Sequence, residues 1–356
     1  MITLRIFQSF CLFCLFLLIL EFGSRALLSI KSIDKIVRKV ESDVVYRWKW
    51  VERHKEGVQI QYRFDKYDPL KGWGLTPNLS YMPCFNKKFI NSNSRGIRGK
   101  AEYSYAKVKG KLRILFLGDS FTFGDEVSDN ETYPSYLQQM MPNVEVINLG
   151  IHGYGHDQML IYLKEEGIKY KPDIIILGYM GGDNERNMLE FRDYSKPRFK
   201  LKNNQLKVFN TPVPAPEIML KRERWRSKFL DLLSILMVEI SRKNGAYDKE
   251  EKSLTYALLK EIVNTAKSIG SVPIFAYLTD VRSMEFEPDI SEEEKKFLIK
   301  CKSLSVNCIF LRQKIFFERL AGLRIKEDGH FDPQTNWLIA LGIEEYLLNH
   351  GFGEGK

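Results

Sequence analysis

Short apolar runs alternate with helical segments along the middle of the chain. The runs at 113–117, 144–147 and 174–177 have the length and continuous hydrophobicity of buried strands. Segments with helical character lie between them, at 131–141 and 157–166. Because strands that alternate with helices pair in parallel through right-handed crossovers, this rhythm predicts an α/β fold with a parallel sheet.

The last third of the chain continues the same rhythm. A helical pattern at 254–269 precedes an apolar run at 272–278, and a further short run follows at 307–311. A closing helix is predicted over 333–348. We therefore predict one α/β domain over residues 94–350.

The alternation is interrupted between about residues 190 and 250. Two short alternating runs flank Asn203-Asn204 within 198–208, which predicts a hairpin. The proline-rich stretch 212–216 then leads to 229–240, where the apolar positions fall on one helical face. We predict that residues 190–250 are an insertion over the core, with a lid as one interpretation.

The N-terminus carries an uncharged apolar run at 6–20, preceded by Arg5. The run is shorter than the roughly 20 residues that span a bilayer, but apolar character resumes at 26–28. It fits either a signal peptide or a retained signal anchor, and the sequence shows no convincing A-x-A cleavage site, which favours the anchor. Residues 1–30 are therefore predicted as a membrane helix and 31–93 as a linker and wrapping lead-in.

The basic residues around this helix leave the membrane side open. Arg5 precedes it, and four basic residues follow it, namely Lys31, Lys35, Arg38 and Lys39. A positive-inside count would place the α/β domain in the cytoplasm, but long domains often translocate regardless of such counts. We take an extracytoplasmic, periplasmic α/β domain as the working prediction.

Composition narrows the class of protein and its ligands. A hydrophobic fraction of 44% and a charged fraction of 28% over 356 residues are typical of a folded protein. The net charge of +9 comes from basic residues interleaved with acids, and no nucleic-acid motif accompanies them, so no nucleic-acid partner is predicted. The five histidines are too few and too scattered for a closed zinc site, so no metal or other cofactor is predicted.

Three cysteines lie outside the apolar N-terminal run, and their spacing is not that of metal ligands. They are Cys84, Cys301 and Cys308. We predict free buried thiols, with a Cys301–Cys308 disulfide as the alternative in an oxidising compartment.

The heptapeptide G-D-S-F-T-F-G occupies residues 118–124, directly after a predicted strand. Open α/β sheets bind ligands at the carboxyl ends of their strands, so Ser120 stands at a favourable place for a nucleophile. The segment lacks the Gly-Lys-Ser/Thr of a P-loop, and Thr122 replaces the second glycine of the G-x-S-x-G elbow. The competing interpretation is an ordinary serine N-cap.

A serine hydroxyl needs an adjacent base, and His330 is the best placed histidine. It follows Glu327 and Asp328 in a loop before the closing helix, so a carboxylate could orient its imidazole. A solvated acidic turn is the alternative. His152 and His156 lie in a glycine-rich loop and are predicted to be surface residues, with substrate contact as the alternative.

Four segments resemble, in order, the sequence blocks of the SGNH/GDSL hydrolases. They are GDS at 118–120, NLGIHG at 148–153, GGDN at 181–184 and DGH at 328–330. The resemblance spans about residues 68–348, and the lead-in at 91–99 is similar to that of membrane-anchored bacterial members. Four blocks in this order are far more specific than any one of them.

The resemblance implies a flavodoxin-like, three-layer α/β/α fold with a parallel sheet and a Ser-His-Asp site. In it, Ser120 attacks the acyl carbon, His330 takes and returns the proton, and Asp328 orients the histidine. The backbone N–H groups of Ser120 and Gly153 and the side-chain amide of Asn184 would bind the oxyanion.

Two positions depart from the family pattern. The third block reads G-x-N-D in the family, whereas here Asp183 precedes Asn184. An ionised Asp183 at the donor position would repel the oxyanion, so we favour Asn184 as the donor. The frequent D-x-x-H spacing selects Glu327 as the acid, and the D-x-H variant selects Asp328, which we favour.

These features predict a serine-dependent ester hydrolase or O-acyl (acetyl) transfer enzyme that acts on a glycan or lipid near the membrane. Water or a sugar hydroxyl could accept the acyl group, and the sequence does not choose between them. The altered third block keeps a second function open, a catalytically inactive protein of the same fold that binds a glycan or lipid.

Overall fold

The chain folds into two compact units. The computed structural model describes residues 2–55, 63–85, 87–278, 290–322 and 329–353. Unit 1 comprises Met1–Ile60, Leu189–Ser195 and Pro214–Glu250, and unit 2 comprises Gln61–Met188, Lys196–Val213 and Glu251–Lys356.

Helices and short strands are distributed along the described residues. The helices are α1 (Ile2–Ser29), α2 (Lys31–Val37), α3 (Asp43–Lys55), α4 (Ser120–Phe123), α5 (Tyr133–Met140), α6 (His156–Glu165), α7 (Asp183–Arg186), α8 (Pro216–Glu223), α9 (Lys228–Lys243), α10 (Ala246–Ser268), α11 (Glu292–Leu304), α12 (Arg312–Leu320) and α13 (Pro333–Asn349). The strands are β1 (Asp65–Asp68), β2 (Gly72–Leu75), β3 (Met82–Cys84), β4 (Lys88–Ile90), β5 (Leu112–Leu117), β6 (Val144–Asn148), β7 (Ile174–Tyr179), β8 (Arg198–Lys202), β9 (Gln205–Phe209), β10 (Val272–Tyr277) and β11 (Asn307–Phe310).

A parallel sheet of five strands is the centre of unit 2 in the described part of the chain. Its strand order is β11-β10-β7-β5-β6, so in chain order the strands are arranged 2-1-3-4-5, which is the flavodoxin-like doubly wound order. In the register, Ile114 lies opposite Val146 on one side and Ile174 on the other. The predicted α/β class and flavodoxin-like parallel sheet are confirmed.

Helices α5 and α13 pack on this sheet through apolar side chains. One core cluster combines Ile114 and Phe116 of β5 with Ile339 and Ile343 of α13. The last helix begins where Asp332 accepts a hydrogen bond from the backbone N–H of Thr335 at 2.7 Å. This N-cap places the loop that carries His330 directly before α13.

Unit 1 contains the N-terminal helix and the segment that follows the hairpin. One helix of the described residues, Arg5–Ser29 within α1, is long and apolar enough to cross a membrane. Residues 214–250 cluster with the N-terminal segment, whereas the predicted hairpin is confirmed as β8–β9 and belongs to unit 2. A lid role for the predicted insertion stays a prediction.

The prediction of free thiols at Cys301 and Cys308 is wrong, because the two residues form a disulfide. Helix α11 ends at Leu304, and Ser305 adopts a left-handed backbone with φ 50°. The chain therefore turns back within a few residues, which brings the Cα atoms of the two cysteines to 6.4 Å, within disulfide range.

Candidate active site

Ser120 is the first residue of α4, directly after the carboxyl end of β5. Asp119 is the N-cap of this short helix, and its side chain accepts a hydrogen bond from the N–H of Phe121 at 3.0 Å. Strand β5 lies between β6 and β7, so the chain winds away from it in both directions. Ser120 thus stands at the topological switch point, where open α/β sheets bind their ligands.

The structure brings together Ser120 and His330, which are far apart in the sequence of unit 2. His330 Nε2 lies 2.8 Å from Ser120 Oγ, although 210 residues separate the two. The Phe121 ring packs against the imidazole with centroids 4.8 Å apart. This distance allows the imidazole to accept the hydroxyl proton directly.

The other imidazole nitrogen contacts a carboxylate that the sequence did not single out. Glu126 Oε1 lies 3.2 Å from His330 Nδ1. Glu126 has φ 68°, a left-handed conformation that is uncommon for a residue other than glycine and is often associated with functional sites. The predicted acid Asp328 and its alternative Glu327 lie outside the described residues.

A second acid, Asp125, lies beside the same pair. Its Oδ2 is 3.7 Å from His330 Nε2, and its other oxygen is buried with no hydrogen-bond partner among the described residues. Burial raises the pKa of Asp125 to about 6, although the nearby His152, His330 and Arg98 favour its ionised form. Its charge therefore changes close to neutral pH, next to the reacting atoms.

Replacing Asp125 with asparagine is expected to remove a pH-dependent loss of stability. Folding raises the pKa of Asp125 from 3.8 to about 6, so the protonated Asp125 favours the folded state. This contribution to the free energy of unfolding is fully present below pH 3.8 and is lost as the pH rises through 6. The shift corresponds to about 3 kcal/mol in the free energy of unfolding. Urea unfolding at pH 4 and pH 8 tests this prediction. Between these two pH values, the free energy of unfolding should fall by about 3 kcal/mol more in wild type than in Asp125→Asn. Equal losses in both proteins would contradict the prediction.

The second sequence block is held against the nucleophile turn. Asn148 donates from Nδ2 to the Thr122 carbonyl at 2.9 Å and accepts at Oδ1 from the N–H of Gly150. A Cβ on Gly150 would lie 2.4 Å from the backbone nitrogen of Phe123, so only glycine permits this approach. The loop continues to Gly153, which has φ 72°. The structure thus brings the predicted donor loop beside α4, and Gly153's role stays a prediction.

The third block holds a buried cluster of charged side chains. Arg186 Nη1 lies 2.6 Å from Asp183 Oδ1 and 2.9 Å from Asp119 Oδ2. Burial and the negative charge of Asp119 raise the pKa of Asp183 well above its usual range. Burial and Asp119 thus favour the protonated form of Asp183, whereas its contact with Arg186 favours the ionised form.

Asn184 follows Asp183 in α7. Its Oδ1 accepts a hydrogen bond from the Tyr179 hydroxyl at 3.0 Å. This bond fixes the orientation of the amide, and the Nδ2 group is the part of this side chain that can donate. The predicted oxyanion role of Asn184 stays a prediction.

The prediction of surface positions for His152 and His156 is wrong, because both side chains are buried. His152 Nε2 contacts Asp65 Oδ1 at 2.7 Å, and its carbonyl accepts from Trp73 Nε1. Burial is the largest cause that lowers the pKa of His156 to about 3, so it is neutral at physiological pH. The lead-in strands β1 and β2 explain the burial of His152, since they cover its loop.

Arg98, in the lead-in, is another residue near the candidate site that the sequence did not indicate. Its guanidinium donates to the carbonyls of Gly124 and Val127, at 2.5 and 2.6 Å, and pairs with Asp129 at 2.9 Å. These bonds hold the turn that carries Asp125 and Glu126. The one sequence signal for this role is the similarity of residues 91–99 to the family's lead-in.

No protein-family model and no curated protein sequence match the chain. Similar solved structures include a lipolytic protein of the G-D-S-L family from Veillonella parvula DSM 2008, at 14% identity and a TM-score of 0.40, covering 67% of this chain and 98% of that one. An acetylxylan esterase from Geobacillus stearothermophilus, Axe2, has 15% identity and a TM-score of 0.37 over 69% of this chain and 97% of its own.

A psychrotrophic esterase from Pseudoalteromonas sp., EstA, is similar at 12% identity and a TM-score of 0.39, over 67% of this chain and 98% of that one. All three likenesses lie at 12–15% identity with TM-scores of 0.40 or below, and they are likenesses of fold.

Proposed function

We propose that this chain is a serine-dependent ester hydrolase or O-acyl transfer enzyme whose substrate is an acylated glycan or lipid. The observation that carries the proposal is the 2.8 Å contact between Ser120 Oγ and His330 Nε2 at the carboxyl edge of the sheet. Serine is a competent nucleophile only beside such a base.

The mechanism follows from these two side chains. His330 Nε2 accepts the hydroxyl proton as Ser120 Oγ forms a bond to the acyl carbon. The carbonyl oxygen becomes an oxyanion, and the proposed donors are the N–H groups of Ser120 and Gly153 and the amide of Asn184. Removal of one such donor typically costs about 100- to 1000-fold in rate.

The tetrahedral intermediate then collapses. The bond to the leaving alcohol breaks, and the imidazolium gives its proton to that oxygen, which leaves an acyl group on Ser120. Water, or a hydroxyl of a glycan acceptor, next loses its proton to His330 and attacks the acyl carbon. The first acceptor makes the protein a hydrolase and the second makes it a transferase.

The histidine needs a carboxylate at Nδ1 to stabilise the imidazolium. We propose Asp328 for this position, with Glu327 as the alternative. Glu126, which contacts Nδ1 at 3.2 Å, is a second carboxylate that can stabilise the imidazolium.

We also propose that α1 anchors the chain in a membrane and that unit 2 lies on the extracytoplasmic side. The length and apolar character of Arg5–Ser29 support the anchor. The Cys301–Cys308 disulfide supports the extracytoplasmic placement of unit 2, because disulfides persist in oxidising compartments such as the periplasm.

Covalent labelling of the full-length chain tests the nucleophile. A fluorophosphonate probe is expected to modify wild type, with the adduct on the peptide that contains Ser120 by mass spectrometry. Labelling should be lost in Ser120→Ala and unchanged in Ser104→Ala, which removes an exposed hydroxyl. A folded protein with neither labelling nor p-nitrophenyl acetate turnover would favour the inactive, ligand-binding alternative.

Acceptor competition separates the two enzyme classes. In the presence of a soluble oligosaccharide, a transferase is expected to yield acylated oligosaccharide, detected by mass spectrometry. Release of free acid alone would contradict acyl transfer to that class of acceptor.

A further inference from the structure

Helix α9 of unit 1 has one buried side and one exposed apolar side. On the buried side, Asp231 pairs with Arg47 at 2.5 Å and accepts from Trp48 Nε1 at 2.8 Å, while Ile235 joins Val44 in a core cluster. These contacts fix the rotation of the helix about its axis.

The opposite side of α9 presents a stripe of large apolar side chains. The stripe consists of Leu230, Leu233, Leu236, Met237 and Ile240, which are 42–60% exposed. Their spacing places them on one helical face. A contiguous exposed apolar surface of this kind is typical of a protein or membrane contact.

The start of α9 is bound to the candidate membrane helix. Glu21 of α1 accepts hydrogen bonds from Ser227 Oγ at 2.6 Å and from the N–H groups of Lys228 and Phe229 at 3.1 Å. Sixteen residues separate Arg5 from Glu21, about 24 Å of helix. Since the hydrocarbon core is about 30 Å thick, a spanning α1 with Arg5 at one boundary brings Glu21 close to the other.

A basic and aromatic segment directly precedes the stripe. The exposed cations are Lys221, Arg222, Arg224 and Arg226. Trp225, within the same segment, is 90% exposed. Tryptophan is enriched where water meets lipid, and clustered cations attract anionic headgroups.

We infer that the α9 stripe docks on the surface of the lipid bilayer that α1 spans, with residues 221–226 on anionic headgroups. Continuity with α1 through Glu21 supports lipid as the occupant. A parallel pairing of two copies along this face is disfavoured, because it would bring two basic segments together. The inference rests on the anchoring proposed for α1 and is independent of the chemistry at Ser120.

Site-specific fluorescence in proteoliposomes tests this docking. Full-length chains carry one thiol each, at Leu233→Cys, Met237→Cys or Lys249→Cys, after Cys11, Cys14 and Cys84 are replaced by alanine. A fourth chain keeps Cys14 within α1. Each is labelled with an NBD probe under non-reducing conditions and reconstituted in phosphatidylcholine–phosphatidylglycerol vesicles with or without nitroxide-bearing lipid.

Nitroxide lipid is expected to quench most of the NBD emission at positions 233 and 237, as at Cys14, and little at the exposed position 249. Quenching at Cys14 with water-like, unquenched emission at 233 and 237 would overturn the docking and leave the anchor intact. Apolar but unquenched emission at 233 would show that protein covers the stripe, which also overturns it. Absence of quenching at Cys14 would instead refute the anchor and the docking that rests on it.

Discussion

Replacing Ser120 with alanine is expected to lower kcat for ester turnover by about 10⁴- to 10⁶-fold, and His330→Ala is expected to cost a similar factor. The two side chains act as one unit, because the hydroxyl at 2.8 Å becomes nucleophilic only as the imidazole takes its proton. The double variant should therefore be no slower than either single variant, since the remaining rate comes from binding and oxyanion donors.

The measurement is p-nitrophenyl acetate hydrolysis by full-length protein, with the thermal unfolding midpoint recorded for each variant. Ser120 is almost fully buried, and alanine removes one hydroxyl without adding volume, so the fold should persist. Ser104→Ala serves as the matched control. Turnover that survives Ser120→Ala in folded protein would place hydrolysis at another residue.

Local signals predicted the position of Ser120 at the end of a strand. The apolar run before Ser120 identifies β5, and parallel strands direct their carboxyl ends to one edge, where the serine and its loop must lie. His330 was recognisable because it follows Glu327 and Asp328 in a loop before the closing helix, which is α13 in the structure. The pairing of Ser120 with His330 was predicted from four sequence blocks in order, because each segment alone is also compatible with a structural role.

Contacts between distant residues could not be predicted in the same way. The glycine-rich loop around His152 looks exposed in sequence, yet Asp65 and Trp73, about 80 residues earlier, bury it. Similarly, nothing in the pattern around Glu126 marks a site residue. Its approach to His330 follows from a turn in which Gly124 and Glu126 both have positive φ.

Replacing Asp328 with asparagine is expected to lower kcat by about 10³- to 10⁴-fold while changing KM little. An amide keeps the size of the side chain but removes the charge that stabilises the imidazolium. Gly329, which directly precedes His330, has φ 73°, a left-handed conformation that favours glycine. The measurement is kcat and KM across pH 5 to 9, with Glu327→Gln measured beside it, because a comparable loss there with near-normal Asp328→Asn would select Glu327 as the acid.

The variant Glu126→Gln tests whether Asp328 or Glu126 is the acid that orients His330. Glu126 is 39% exposed and lies 3.2 Å from Nδ1, so water screens its charge and we expect a loss of only about tenfold in kcat. A large loss in Glu126→Gln with near-normal Asp328→Asn would reverse the assignment. In that case the orienting carboxylate would come from the turn after the nucleophile, held by Arg98, and the strained backbone of Glu126 would be explained by its contact with His330.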